Sequence, residues 1–479
     1  MKKHLLFSLL SLLGISLLAQ PVRYLDEIFQ NVKVDSNVVY GKNKSYLSGF
    51  NAVQNLVMDV YQPVGDTATN RPVIILMHAG SFLPPSVTGF TFADKNENCI
   101  VELCKRFAKR GFVAVSMAYR LGWNPTAPTQ EERSKTIINA VYRAMQDVRG
   151  CVRYFRSTYA DSSNKWGIDP NKFILGGSNS GAYVALAASY FNRPIELYLP
   201  KFLDGNGIPF VDTTLTGNFE GFGGTQNLDN FPGYSSAFNC VLSLGGAVAD
   251  TTLIEPGETA IIAFQGQEEQ LTPYNTATVI TTTLQPVIEV SGSGDFMPVV
   301  VKIGNNNGFT PNSFPPGPPN KQGGVYTQPV DGLYPFKGEG FEPWNWYNGG
   351  NPAINPTASE AKAKRYIDTI MAYSIPRLYR LLIDPNYGNP TQGLYKSDFV
   401  ECNVYPNPAA DVLNVFVNSL QQPIERITVY DLHGKVVKEH PAFGGHHEVV
   451  PVADISNGTY IVKVTLQDNL TATKLINVY

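Results

Sequence analysis

Eleven residues restrict the fold more than any other stretch: Phe173-Ile174-Leu175-Gly176-Gly177-Ser178-Asn179-Ser180-Gly181-Ala182-Tyr183. An apolar strand runs into a knot of small residues, and an alanine-rich helix leaves it at once. A strand end and a helix start that approach so closely need very small residues two before and two after the apex. Gly177 and Gly181 supply them around Asn179. Centring on Ser178 gives Gly176 and Ser180 as flanks, and centring on Ser180 gives Ser178 and Ala182, both poorer fits. The best register therefore presents an amide. The apex of such a turn sits at positive φ, which asparagine tolerates better than most non-glycine residues.

The 479-residue length exceeds what one compact domain usually holds, so two domains are expected. A net charge of -3 points to neither nucleic acid nor an anionic membrane as partner. Met1-Lys2-Lys3 and the apolar run from Leu5 to Ala19 read as a signal peptide over residues 1–20, cut near Ala19-Gln20. No later run is long and apolar enough to span a bilayer, which predicts an exported, soluble mature protein. Five cysteines (Cys99, Cys104, Cys151, Cys240, Cys402) are too few for a disulfide scaffold. An oxidising compartment allows one or two bridges among them, and Cys99 with Cys104 is the nearest pair.

Strand-like segments between Arg23 and Tyr61 suit an antiparallel lead-in to a mixed sheet. The apolar run Val73 to Met77 then ends in His78-Ala79-Gly80-Ser81. Helices are expected over Cys99 to Arg110, Thr136 to Tyr159 and Ser359 to Tyr373. Buried strands are expected over Phe112 to Tyr119, Val241 to Leu244 and Ala260 to Phe264, with Asp169-Pro170-Asn171 turning into the strand before Asn179. Strands alternating with helices predict an α/β fold with a mostly parallel sheet and helices on both faces. The alternation fades over residues 285–356, which read as a loop-rich cap or pocket wall.

The segment from His78 through Ala118-Tyr119-Arg120-Leu121-Gly122, Ala144-Met145-Gln146-Asp147 and Ile168-Asp169-Pro170-Asn171 to Asn179 resembles secreted α/β-hydrolase esterases of the carboxylesterase and lipase kind. The likeness covers roughly Arg23 to Leu382, within a domain over residues 21–385, and implies a catalytic triad of nucleophile, acid and histidine in that chain order. It puts Asn179 at the nucleophile position. His78, Ala79, Gly80 and Ser81, with Ser180, resemble the loop and helix start whose N–H groups stabilise an oxyanion. Gln267-Glu268-Glu269-Gln270-Leu271-Thr272-Pro273-Tyr274 resembles the acid loop, with Glu269 at the acid position, although a solvated loop charge is an equal reading. Leu333 to Trp344 resembles the last strand and its loop, with Phe341 where the histidine is expected. Of six histidines, His4 lies in the signal peptide and His433, His440, His446 and His447 lie near the C-terminus. His78 alone remains, and a hydrogen-bonded structural histidine is its default role.

Residues 402–479, joined by a linker over 386–401, form a separate unit. Val412 to Val417, Arg426 to Tyr430, His447 to Val452 and Tyr460 to Leu466 read as short strands of a small β-sandwich. Val404-Tyr405-Pro406-Asn407-Pro408-Ala409, Tyr430-Asp431 with Gly434-Lys435, and Gly458-Thr459-Tyr460 resemble a type IX secretion C-terminal sorting domain. The resemblance implies transport by that machinery to the medium or the outer-membrane surface.

The expected function is a secreted hydrolase-like protein that has lost its chemistry and keeps a pocket for a sugar or ester ligand. Phe341, Trp344, Trp346 and Tyr347 are its candidate ligand-binding residues; aromatics packing the insertion onto the domain are the plainer reading. The alternatives are an active carboxylesterase using Ser178 or Ser180, and a cell-surface structural protein. No metal or cofactor motif is present in the sequence.

Overall fold

The computed structural model describes residues 21–479 except 89–92, 282, 310–313, 349, 353–354, 390–401, 418–422, 443–444 and 467–470. The segment read as a signal peptide and most of the expected linker lie outside the described residues. Two compact units meet between Asn389 and Pro390.

The first unit is built on an eight-stranded sheet in the order β1-β2-β4-β3-β5-β6-β7-β8. Its strands are β1 (Val32–Lys44), β2 (Val53–Pro63), β3 (Arg71–Met77), β4 (Val113–Met117), β5 (Ile168–Ser178), β6 (Cys240–Leu244), β7 (Ala260–Gly266) and β8 (Leu333–Phe336). β1 and β2 are antiparallel lead-in strands, and every pairing from β4 to β8 is parallel. Because helices cover both faces, β3, β4, β6 and β7 are apolar runs buried from end to end. The helices are α1 (Asn98–Lys109), α2 (Gln130–Asp161), α3 (Ser180–Tyr190), α4 (Ser293–Lys302) and α5 (Glu360–Leu382). α2 starts where the Thr129 hydroxyl accepts the Glu132 N–H at 3.2 Å. Arg120, after β4, grips Asp147 of α2 through Nε at 2.9 Å and its own N–H at 2.8 Å, both residues fully buried. Two of the segments that carried the esterase likeness are thus tied together.

Three departures from the sequence reading have physical causes. β5 starts at Ile168 and takes in Asp169-Pro170-Asn171, which keep a turn as a bulge in the strand: the Asn171 N–H donates to Asp169 Oδ1 at 2.9 Å and the register with β3 shifts there. α5 runs through Pro376 to Leu382, held by the burial of Ile370, Met371, Ile375 and Leu378. Residues 285–356 are less irregular than expected, because a strand over Pro286–Gly292 leads into α4. Gly292, Gly294 and Pro298 resemble loop punctuation, but the bond that Pro298 cannot give to the Gly294 carbonyl is replaced by Asn320 Nδ2 at 2.9 Å.

The five cysteines are free and buried. Cys99 and Cys104, the nearest pair in sequence, sit five residues apart on α1, on different sides of the helix, and no bridge joins them. Among the described residues no helix is long and apolar enough to cross a membrane.

The second unit has two antiparallel sheets. One is ordered β9-β10-β13 and the other β12-β11-β14-β15. Their ranges are β9 (Cys402–Tyr405), β10 (Val412–Val417), β11 (Ile424–Asp431), β12 (Val436–Pro441), β13 (His447–Pro451), β14 (Gly458–Leu466) and β15 (Thr471–Val478). Alternating residues such as Leu413, Val415, Val462 and Val464 form their shared core. The edge strand β12 buries almost nothing, so it left no apolar pattern to read.

Candidate functional site

The C-terminal ends of β3, β5 and β7 bring three loops together. At the end of β5, Asn179 holds φ 47° and ψ -113°, and its N–H donates to Leu244 O at 2.8 Å. A Cβ on Gly177 would stand 2.5 Å from the Gly181 carbonyl carbon, and one on Gly181 would stand 2.2 Å from Met77 O. Only glycine fits either position, and α3 starts directly from the apex.

The neighbouring serines face different ways. Ser178 is fully buried; its Oγ accepts from Trp344 Nε1 at 3.0 Å and donates to Glu342 Oε1 at 3.4 Å. Ser180 Oγ lies 3.1 Å from the Tyr119 hydroxyl, which donates to His78 O at 2.8 Å. The Ser180 hydroxyl is therefore the donor to Tyr119.

His78 is buried and stacked on Tyr119, with ring centroids 4.5 Å apart. Its Nδ1–H donates to Ala79 O at 2.6 Å, and burial pushes its pKa down to about 4, so it stays neutral. The next residues are strained: Gly80, Ser81 and Phe82 have φ of 118°, 54° and 58°. The Ala79 N–H is engaged by Glu97 Oε2 at 2.6 Å.

The acid loop after β7 runs beside the loop after β8. Glu268 N–H donates to Glu339 O at 3.2 Å and Gln270 N–H to Gly340 O at 3.1 Å. This puts the Glu269 and Phe341 segments side by side, and Asn179 Nδ2 reaches Thr272 Oγ1 at 3.4 Å. Glu269 is 8% exposed, which rules out a solvated loop charge. Burial, then the neighbouring Glu342, push its carboxyl up to about 8 against the N–H groups around it. Phe341 packs against Ala79 and Tyr347.

The expected aromatic face for stacking is not assembled. Trp344 is fully buried and braces Ser178, Trp346 packs on the core beneath the sheet, and Tyr347 backs Phe341. Of the four, Phe341 alone lines the cavity among its described residues.

Two functional candidates escaped the sequence reading. Glu97, at the start of α1, accepts from Ala79 N, from Asn345 Nδ2 at 2.6 Å and from Cys99 Sγ at 3.4 Å. Glu342 is buried beside it and raised to about 7 by burial; burial, then Glu342, hold Glu97 well above the usual carboxylate range. The two carboxyls form a coupled buried pair, with Asn345 against both and Ser178 reaching Glu342. The available signal was a lone charge inside the aromatic run Phe341-Glu342-Pro343-Trp344.

A cavity of about 400 Å³ opens at this point. Asn179, Ser180, Thr272 and Glu342 form its polar end. Its walls are apolar, built from α2, α3 and the 286–292 strand, with Ile138, Tyr183, Phe191, Phe202 and Val290 among them. No lysine, arginine or histidine lies among its described lining residues. Among the described residues no group of His, Cys, Asp or Glu has the arrangement to hold a metal.

Residues 58–208 match the BD-FAE family model, and residues 403–478 match the model described as Secretion system C-terminal sorting domain. The chain joins an esterase-like α/β-hydrolase domain to a secretion sorting domain. The sorting domain marks it for export to the cell surface or beyond. Similar solved structures include Thermogutta terrifontis esterase 2 phosphorylated by paraoxon, at 15% identity and TM-score 0.40, covering 74% of this chain and 96% of that one. The same esterase phosphonylated by sarin gives 15% identity and TM-score 0.40, covering 76% and 99%. Its butyrate-bound form gives 14% identity and TM-score 0.39, covering 72% and 94%. No curated protein matches the chain significantly.

Proposed function

We propose that the hydrolase-like domain binds an apolar, ester-like ligand without hydrolysing it. The observation that carries this reading is the amide at the apex of the elbow: Asn179 has no hydroxyl or thiol to attack a carbonyl. The base position supports it, because Phe341 fills that place and the single histidine of the domain is spent on Ala79 O and Tyr119. Ser180 lines the cavity but donates to Tyr119, and among the described residues no imidazole or carboxylate accepts from it. The apolar walls favour an ester or acyl group over a sugar, whose hydroxyls would find few partners there. Export through the sorting domain would deliver such a binder to the cell surface or medium, through contacts with the secretion machinery.

The test is ester hydrolysis by the purified protein beside its Ser180→Ala variant. The expected result is no rate above buffer for a short-chain chromogenic ester with either protein. Turnover that disappears in the variant would overturn the binding-only reading and make Ser180 the nucleophile.

A further inference from the structure

We propose that Asn179-Ser180 is a self-modification site, where the elbow closes the Asn179 side chain onto the Ser180 nitrogen as a cyclic imide and water opens the ring to leave aspartate at the apex. The inference goes beyond the proposed binding function and does not depend on it. Its first support is the backbone. Substituents on a tetrahedral carbon stand about 120° apart in projection, so ψ of -113° at Asn179 leaves the Ser180 nitrogen within about 10° of eclipsing Cβ. A five-membered ring through Cα, Cβ, Cγ, that nitrogen and the backbone carbonyl carbon requires this eclipsed arrangement. Positive φ with this ψ is strained for a residue that carries a Cβ, and the close packing at Gly177 and Gly181 holds it in place. The fold has thus already made the rotation that a flexible chain must make before the ring can close.

The reacting groups are open to one another and to water. Ser180 is the first residue of α3, so its N–H has no partner inside the helix, and no acceptor among the described residues takes it. The Asn179 amide is held by one long contact, Nδ2 to Thr272 Oγ1 at 3.4 Å. Its Oδ1 accepts from no described residue and is not sealed from solvent, so the amide opens on the cavity. Ring closure forms the Ser180 N–Cγ bond and breaks the Cγ–Nδ2 bond; the leaving nitrogen takes the Ser180 proton and departs as ammonia. Water then adds its hydroxyl to a ring carbonyl and returns a proton to the Ser180 nitrogen. Opening at Cγ restores the main chain with aspartate at position 179. Opening at the backbone carbonyl gives isoaspartate, whose extra main-chain atom finds no room in an elbow where a Cβ on Gly181 would stand 2.2 Å from Met77 O. The product puts a carboxyl at the polar end of a cavity whose described lining has no lysine, arginine or histidine.

Incubation of the full-length secreted protein at pH 8 in water enriched in heavy oxygen, folded and in guanidinium chloride, followed by peptide mass spectrometry, tests this. The label marks conversions that occur during the incubation. Labelled aspartate at position 179 should form about tenfold faster in the folded protein than in the unfolded chain, a ratio equal to about 1.4 kcal/mol of barrier. Asn206, exposed and followed by a glycine, is the internal control and should show no such acceleration. No acceleration at Asn179 on folding, the same acceleration at Asn206, or isoaspartate as the main product of the folded protein overturns the proposal.

Discussion

Replacing Glu269 by glutamine should flatten the pH dependence of stability. The folded carboxyl titrates at about 8, against an ordinary value of 4.5. The folded state therefore holds its proton more tightly than the unfolded chain. This contribution to stability is full below about pH 4.5 and is lost as pH rises towards 8. Within that window the loss is about 1.4 kcal/mol per pH unit, or about 2.7 kcal/mol between pH 5.5 and 7.5. An amide in the same place cannot ionise and carries no such slope. All four tryptophans, Trp123, Trp166, Trp344 and Trp346, lie in the hydrolase-like unit, so urea unfolding followed by their fluorescence reports on that unit. The stability of the variant relative to the parent should rise by about 2.7 kcal/mol from pH 5.5 to 7.5. Glu342 titrates in the same window and is present in both proteins, so the difference reports Glu269 together with its coupling to Glu342. Parallel pH profiles for the two proteins would refute the claim that Glu269 is buried with its proton.

Gly181→Ala should cost about 3 kcal/mol or more, because the added Cβ would sit 2.2 Å from the Met77 carbonyl oxygen and backbone would have to move; a melt of the variant within 1 °C of the parent would contradict the packing of the elbow. Arg120→Ala leaves Asp147 buried without its cation and should destabilise the same unit by about 3–5 kcal/mol, read by the same fluorescence unfolding.

The parts of this site that were legible in the sequence depend on backbone sterics. Gly177 and Gly181 are dictated by atoms a few residues away or on the adjoining strand, and their spacing alone chose Asn179 over either serine. The acid loop was legible for a similar reason, since a buried strand ending in Gly266 sits against the Glu339 carbonyl and leaves no room for a side chain. What stayed hidden depends on pairs distant in the chain. Glu97 reads as an ordinary acidic residue at a helix start, and nothing local shows that Asn345 and Ala79 will close around it. The aromatic run misled because stacking platforms and core packing use the same residues, and only burial separates Trp344 from a ligand contact. α4 was missed because the compensation for Pro298 comes from Asn320, across a stretch of irregular chain.

The charge state of Glu269 depends on what stands at position 341. In a working triad the acid is ionised, because its role is to orient and stabilise the imidazolium that forms next to it. An imidazole at position 341 would give the Glu269 carboxylate a donor and a forming cation, and would hold its pKa down. With Phe341 there, the acid loop closes on an apolar ring and the carboxyl keeps its proton near neutral pH. The same ring packs on Ala79 and Tyr347, close to Glu342, whose carboxyl burial raises to about 7. An apolar ring beside the acid loop thus sets the charge state of Glu269 as well as the packing around it, and the pH profile of Glu269→Gln reads that state directly.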